Sequence, residues 1–214
     1  PGARLLAQAT GAPILAEGPH RAARPVEERN EGGLDAGEDR DFAPDIRLSD
    51  GERIEGDGFT LEAVATPGHA ANHLAFALAG SPLLFSGDHV MAWATTVIAP
   101  PDGAMADYMA SLDKLAERPE TVYLPGHGGP VAEAPAFVRA LKAHRKMRER
   151  AILERVRQGD PTIAAIVEAI YRDTPKALHG AAGLSVFSHL EDLVARGLVR
   201  APEGVRIGGV FVAD

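Results

Sequence analysis

The sequence contains no cysteine in its 214 residues. Disulfides and thiolate metal sites are therefore excluded, and any metal must be held by histidine and carboxylates. No apolar run reaches the roughly 18 residues needed to span a bilayer. There is no internal repeat and no low-complexity tract. Positive charge is in the minority, with 22 Lys and Arg against 30 Asp and Glu and a net charge of −8. That balance argues against strong non-specific nucleic-acid binding by the whole molecule, though not by a local patch. The first residue is Pro1 and not methionine, so a leader, if there is one, lies outside the sequence. A cytoplasmic location and no membrane partner are the expectations.

What is present suits an α/β chain. Hydrophobic residues make up 45% and charged residues 24%. Those proportions suit one large domain or two small ones with a sizeable core. Residues 3–9 read as a helix ending at Gly11, and Pro13–Ala16 as a short strand. Residues 17–45 are rich in Gly, Pro and acid and read as a long loop. Ile46–Leu48 and Arg53-Ile54 flank an Asp50-Gly51 turn. Phe59–Val64 alternates apolar and polar at period two, as a half-buried strand does. His73–Leu78 and Pro82–Phe85 are two further strands. Asp107–Glu117 reads as a helix with Asp107 as its candidate N-cap, and Thr121–Leu124 as a short buried strand. Strand, helix, strand implies helices layered on a sheet.

The composition shifts near residue 134. Residues 135–157 form a helical pattern with Arg139, Lys142, Arg145, Lys146, Arg148, Arg150, Arg155 and Arg157, opposed only by Glu149 and Glu154. Thr162–Tyr171 and Gly183–Arg196 read as two more helices. Leu198–Arg200 and Val205–Ile207 read as short strands around Pro202-Glu203-Gly204. Three helices and a terminal hairpin form the pattern of a winged helix. The expected division is therefore 1–133 and 134–214.

The chemistry is carried by three glycine-flanked segments at the ends of apolar runs. They are Thr66-Pro67-Gly68-His69, Ser86-Gly87-Asp88-His89 and Pro125-Gly126-His127-Gly128. A sharp glycine turn at a strand end projects the next side chain into the rim. His69, Asp88 and His127 each follow a glycine directly. Two imidazoles and a carboxylate are suitable donors, and a carboxylate can bridge two cations about 3.5–4 Å apart. Alone, none of the three is specific; in this order they form a rare combination. Trp93, Thr95 and Thr96 follow Asp88 and are candidates for a substrate rim. His73 and His89 read as strand or supporting residues, His20 and His144 as solvated, and His179 and His189 as structural.

The whole pattern resembles the metallo-β-lactamase superfamily. The likeness is strongest to the branch of glyoxalase-II-like hydrolases and β-lactamase-like protein 2. Carrying residues are Thr66–His69 with Asn72-His73, Leu84–Asp88, Asp107–Leu112 and Leu124–Gly128. Leu178–Ala182 through Ser188–Glu191 to Gly197 resembles the small helical domain of that branch. The resemblance implies an αββα sandwich, N-terminally incomplete here, followed by a winged-helix-like domain. It also implies a first metal motif, H-x-H-x-D-H, just ahead of a position that looks like Pro1-Gly2-Ala3. By resemblance His69 completes a first zinc site, His127 a second, and Asp88 bridges them. A zinc-bound hydroxide would then attack an ester, thioester or phosphodiester. Since the motif is absent from these residues, the chain by itself is expected to bind zinc weakly and to be inactive.

The expected partners are a small-molecule ester or thioester, or single-stranded RNA along the basic helix, with a homodimer left open. The alternative is a non-enzymatic module in which the winged-helix region binds nucleic acid. Few cations on the exposed face of residues 183–196 count against it.

Overall fold

A computed structural model describes residues 2–24, 39 and 41–214. The greater part of the loop expected over 17–45 lies outside the described residues. The chain begins with α1 (Gly2–Thr10), then β1 (Leu15–Ala16) and β2 (Ile46–Arg47), which pair in parallel. A five-stranded sheet follows in the order β3 (Arg53–Glu55), β4 (Thr60–Ala65), β5 (Leu74–Leu78), β6 (Leu83–Gly87), β7 (Val122–Pro125). Its first four strands run antiparallel, and β7 joins β6 in parallel. That last pairing needs a crossover, supplied by α2 (Met105–Ala116).

The registers separate the two faces of the sheet. Val64, Ala75, Ala77, Leu84 and Tyr123 share one face and are buried with Tyr108, Leu112 and Leu115 of α2. The opposite face carries Phe76, Phe85 and Leu124 in one cross-strand row, with Leu61 beside Leu78 and Leu83 beside Val122. There Phe85 is 41% exposed and the other six are half-buried. The described residues thus supply a sheet with one helical layer, which is one half of the expected sandwich.

The long helix α3 (Ala134–Arg157) has Pro135 in its first turn, a position where the missing N–H costs nothing. It packs beside α2 and serves both cores. Ala134, Val138 and Leu141 belong to the sheet core. Ile152 and Val156 belong to a second core with α4 (Ile163–Ile170) and α5 (His179–Ala195). Thr162 caps α4 by accepting the Ala165 N–H at 3.3 Å. Arg24 pairs with Glu191 of α5, tying the N-terminal segment to this second core.

Three sequence expectations need correction. Asp107 is not the cap of α2; Ala104 holds that place in extended conformation, and Asp107 lies in the first turn. Its charge there still favours the positive end of the helix dipole. α5 starts at His179, ahead of the expected Gly183, and a 3-10 turn at Lys176–Leu178 leads directly into it. Gly180 and Gly183 lie inside it. Val205–Ile207 does not form the returning strand of a wing. Arg200 pairs with Val212 instead, through hydrogen bonds of 2.7 and 2.9 Å. Phe211, 1% exposed and bonded through its N–H to the Pro161 carbonyl, fixes the chain there.

Candidate functional site

The ends of β4, β6 and β7 deliver His69, Asp88 and His127 to one edge of the sheet. Asp88 stands between the two imidazoles. Its Oδ2 lies 3.9 Å from His69 Nε2, and its Oδ1 lies 3.6 Å from His127 Nε2. Each carboxylate oxygen thus faces a different ring. The side chains of His69 and Asp88 are each 36% exposed and that of His127 is 58% exposed, so the group is open to solvent.

The orientation of each member has a local cause. His69 Nδ1 lies 2.8 Å from the Val97 carbonyl. A carbonyl only accepts, so Nδ1 carries the proton, and Nε2 is the nitrogen that faces Asp88. Asp88 is set by its own backbone, because its N–H donates to His73 Nε2 at 3.2 Å. His73 then has its proton on Nδ1, 2.8 Å from the Thr66 hydroxyl. Burial, followed by the nearby His69, pushes His73 down to about 4, so it stays neutral. Gly87 sits at φ 53, and an added Cβ would meet His73 Nε2 at 2.6 Å. A Cβ on Gly126 would lie 2.6 Å from Asp88 Oδ1. Close approach therefore disfavours a side chain at both glycines, and at Gly87 the positive φ does so as well.

Under the site lies a buried layer. His89 is fully buried, with its ring 4.5 Å from that of Tyr108 and 5.8 Å from that of His73. Burial holds it well below the usual imidazole range. The Tyr108 hydroxyl donates to the His89 carbonyl at 3.1 Å. Thr96, 1% exposed, donates to the Asp88 carbonyl at 2.7 Å. It lies under the rim, not on it, because its hydroxyl is used to hold the loop. Trp93 is 74% exposed and stacks on His127, with centroids 6.1 Å apart and planes 27° apart. Thr95 is exposed next to it.

Of the remaining histidines, His20 is half-buried and 3.0 Å from Asp102, not free in solvent. His144 is half-buried too, with its Nδ1 enclosed. His179 bonds the Thr174 carbonyl at 3.1 Å, and His189 is buried in the second core region. Sequence reasoning missed Tyr108 and Arg145 as parts of the site's support. The signal for Arg145 was available, since it falls on the apolar stripe of α3 between Leu141 and Ile152. Among the described residues, no group of three or more His, Asp or Glu is arranged to hold a metal ion.

Comparison with known proteins places the chain. The profile of the metallo-beta-lactamase superfamily matches residues 2–127. The chain belongs to that superfamily, a family of hydrolases. A beta-lactamase associated winged helix domain matches residues 162–206. A beta-lactamase-like protein 2 homolog of Caenorhabditis elegans is 34% identical over 156 residues, 72% of this chain and 52% of the relative. An atrochrysone carboxyl ACP thioesterase of Aspergillus chevalieri is 27% identical over 137 residues, covering 60% of this chain and 43% of that protein. A crystal structure of a metallo-beta-lactamase family protein from Thermus thermophilus superposes with a TM-score of 0.68 at 27% identity, over 79% of this chain and 54% of that one. The chain thus spans about half the length of the relatives it matches. No helix among the described residues is long and apolar enough to cross a membrane.

Proposed function

We propose that this chain carries part of the ligand set of a metal-dependent hydrolase acting on an ester or thioester. One observation carries the reading: the two oxygens of Asp88 are divided between His69 and His127. The donor set fits a pair of divalent cations that share a carboxylate, since it consists of imidazole and carboxylate without thiolate. His69 would hold one cation, His127 the other, and Asp88 both, with zinc the first candidate. Bound there, the cations would lower the pKa of water and polarise the substrate carbonyl.

The chain's own residues supply orientation. The Val97 carbonyl keeps His69 in the tautomer that presents Nε2. His73 fixes the backbone of Asp88. Trp93, stacked on His127, offers an exposed aromatic face beside the site for a substrate's apolar part. Further donors would have to come from outside the described residues. The thioesterase among its relatives supports the thioester reading.

RNA is the weaker reading because much of the basic helix is already engaged. Lys142 pairs with Asp113 and Arg155 with Asp160. Arg145 is buried, and Arg148 lies over the Tyr171 ring. The deciding experiment uses the longer protein that contains this chain. It should hydrolyse a model thioester in a chelator-sensitive manner, with zinc found on metal analysis. Cleavage of an RNA oligomer without thioester turnover would select the other substrate. Turnover unaffected by chelation, in protein free of bound metal, would sink the proposal.

A further inference from the structure

We infer that Arg145, on the helix leading into the winged-helix region, is a positioning residue for the His69–Asp88 pair, acting through the Thr96 peptide. The inference rests on the hydrolase reading for its purpose but not for its geometry. Arg145 is 3% exposed. Among the described residues no carboxylate pairs with it. A guanidinium buried without an acid is costly unless its donors are used. Its Nη2 donates to the Thr96 carbonyl, its Nη1 reaches Ser185 Oγ of α5 at 3.4 Å, and its Cζ lies 5.2 Å from the Tyr108 ring centroid.

The Thr96 peptide is the point from which the site is held. The Thr96 hydroxyl donates to the Asp88 carbonyl at 2.7 Å and approaches the His89 carbonyl at 3.2 Å. Tyr108, beneath Arg145, bonds the same His89 carbonyl. The residue after Thr96 is Val97, whose carbonyl fixes the His69 ring. One guanidinium therefore anchors the loop segment that sets both the tautomer of His69 and the backbone of Asp88. It does so from α3, so the second core region is coupled mechanically to the metal-side edge of the sheet.

The test uses the longer protein and two readouts. The first is the 15N signature of the His69 ring in metal-free protein. The second is affinity for Co²⁺, followed by its visible absorption. Arg145→Met should convert the single Nδ1–H tautomer of His69 into a mixture and weaken Co²⁺ by roughly tenfold or more, the usual effect of losing a partner that orients a ligand. Arg148→Ala removes an equal charge from the same helix and touches none of the site loop. It should leave both readouts unchanged within about twofold. A folded Arg145→Met protein with the native ring signature and native Co²⁺ affinity overturns the inference. If that variant does not fold, Arg145→Gln decides. It removes the buried charge and is too short to keep the Thr96 contact, and native values in both readouts would overturn the inference equally. Absence of Co²⁺ binding by the unaltered protein would instead count against the metal reading, while the ring signature would still test Arg145.

Discussion

Replacing His189 by leucine should remove a defined part of the protein's acid sensitivity. The imidazole is 1% exposed, and neither ring nitrogen has a hydrogen-bond partner among the described residues. Burial first, and then the charges of Arg145, Arg148 and Arg196, push it from 6.5 down to about 3. The folded state thus disfavours protonation relative to the unfolded chain. A group whose folded pKa is depressed contributes its stability in full above pH 6.5, and loses it as the pH falls from there toward about 3. At about pH 5 the unfolded histidine is protonated and the folded one is not, which costs the native state about 2 kcal/mol. Leucine cannot titrate. The stability of His189→Leu minus that of the native protein should therefore rise by about 2 kcal/mol between pH 7.5 and pH 5. Urea denaturation of both proteins across that range measures the difference. His73 and His89 are present in both and cancel. Parallel stability curves would refute the reasoning, since they would mean that His189 is solvated or paired in the native state.

Gly126→Ala would put a Cβ 2.6 Å from Asp88 Oδ1; zinc affinity of the longer protein should fall roughly 10–100-fold by calorimetric titration, with little change in its melting temperature. His73→Phe would strip partners from the Asp88 N–H and the buried Thr66 hydroxyl. Urea denaturation of the chain should show a loss of about 2–3 kcal/mol. Phe211→Ala would empty a site that is 1% exposed and release the Arg200–Val212 pairing. It should cost about 3–5 kcal/mol and admit proteases beyond Arg200, as read by timed digestion.

The parts of the fold legible in sequence were those where local pattern and tertiary burial agree. Residues 59–64 show period two because Leu61 and Ala63 lie on the sheet face away from α2, beside Leu78 and Phe76, while Thr60 and Glu62 share the other face with Val64. His69, Asp88 and His127 could be grouped because each ends an apolar run at a glycine, and strand ends of one sheet share an edge. The wing was misread because Val205–Ile207 has strand-like residues but no anchor, whereas Phe211 is seated in the second core. Thr96 and Arg145 were misread for a related reason. A threonine after a ligand candidate suggests a rim, and a cation in a basic helix suggests solvent. Only the packing of α3 against both cores turns them inward.

An exposed apolar side chain and the carboxylate of the site lie along β6 and the turn after it. Phe85 of β6 is 41% exposed on the sheet face away from α2, in line with Phe76 and Leu124. Asp88 follows three residues later, about 10 Å along an extended chain. Burying a fully exposed phenylalanine stabilises a fold by about 1.5–3 kcal/mol, and covering the 41% of Phe85 that is exposed would supply about 1 kcal/mol of that. Among the described residues, the same edge offers Asp88 two imidazoles. A single additional layer over that face would bury the row and bring new side chains to the open side of Asp88 at once. Packing on that face and ligation at Asp88 would then be coupled, and metal affinity would follow the docking of such a layer.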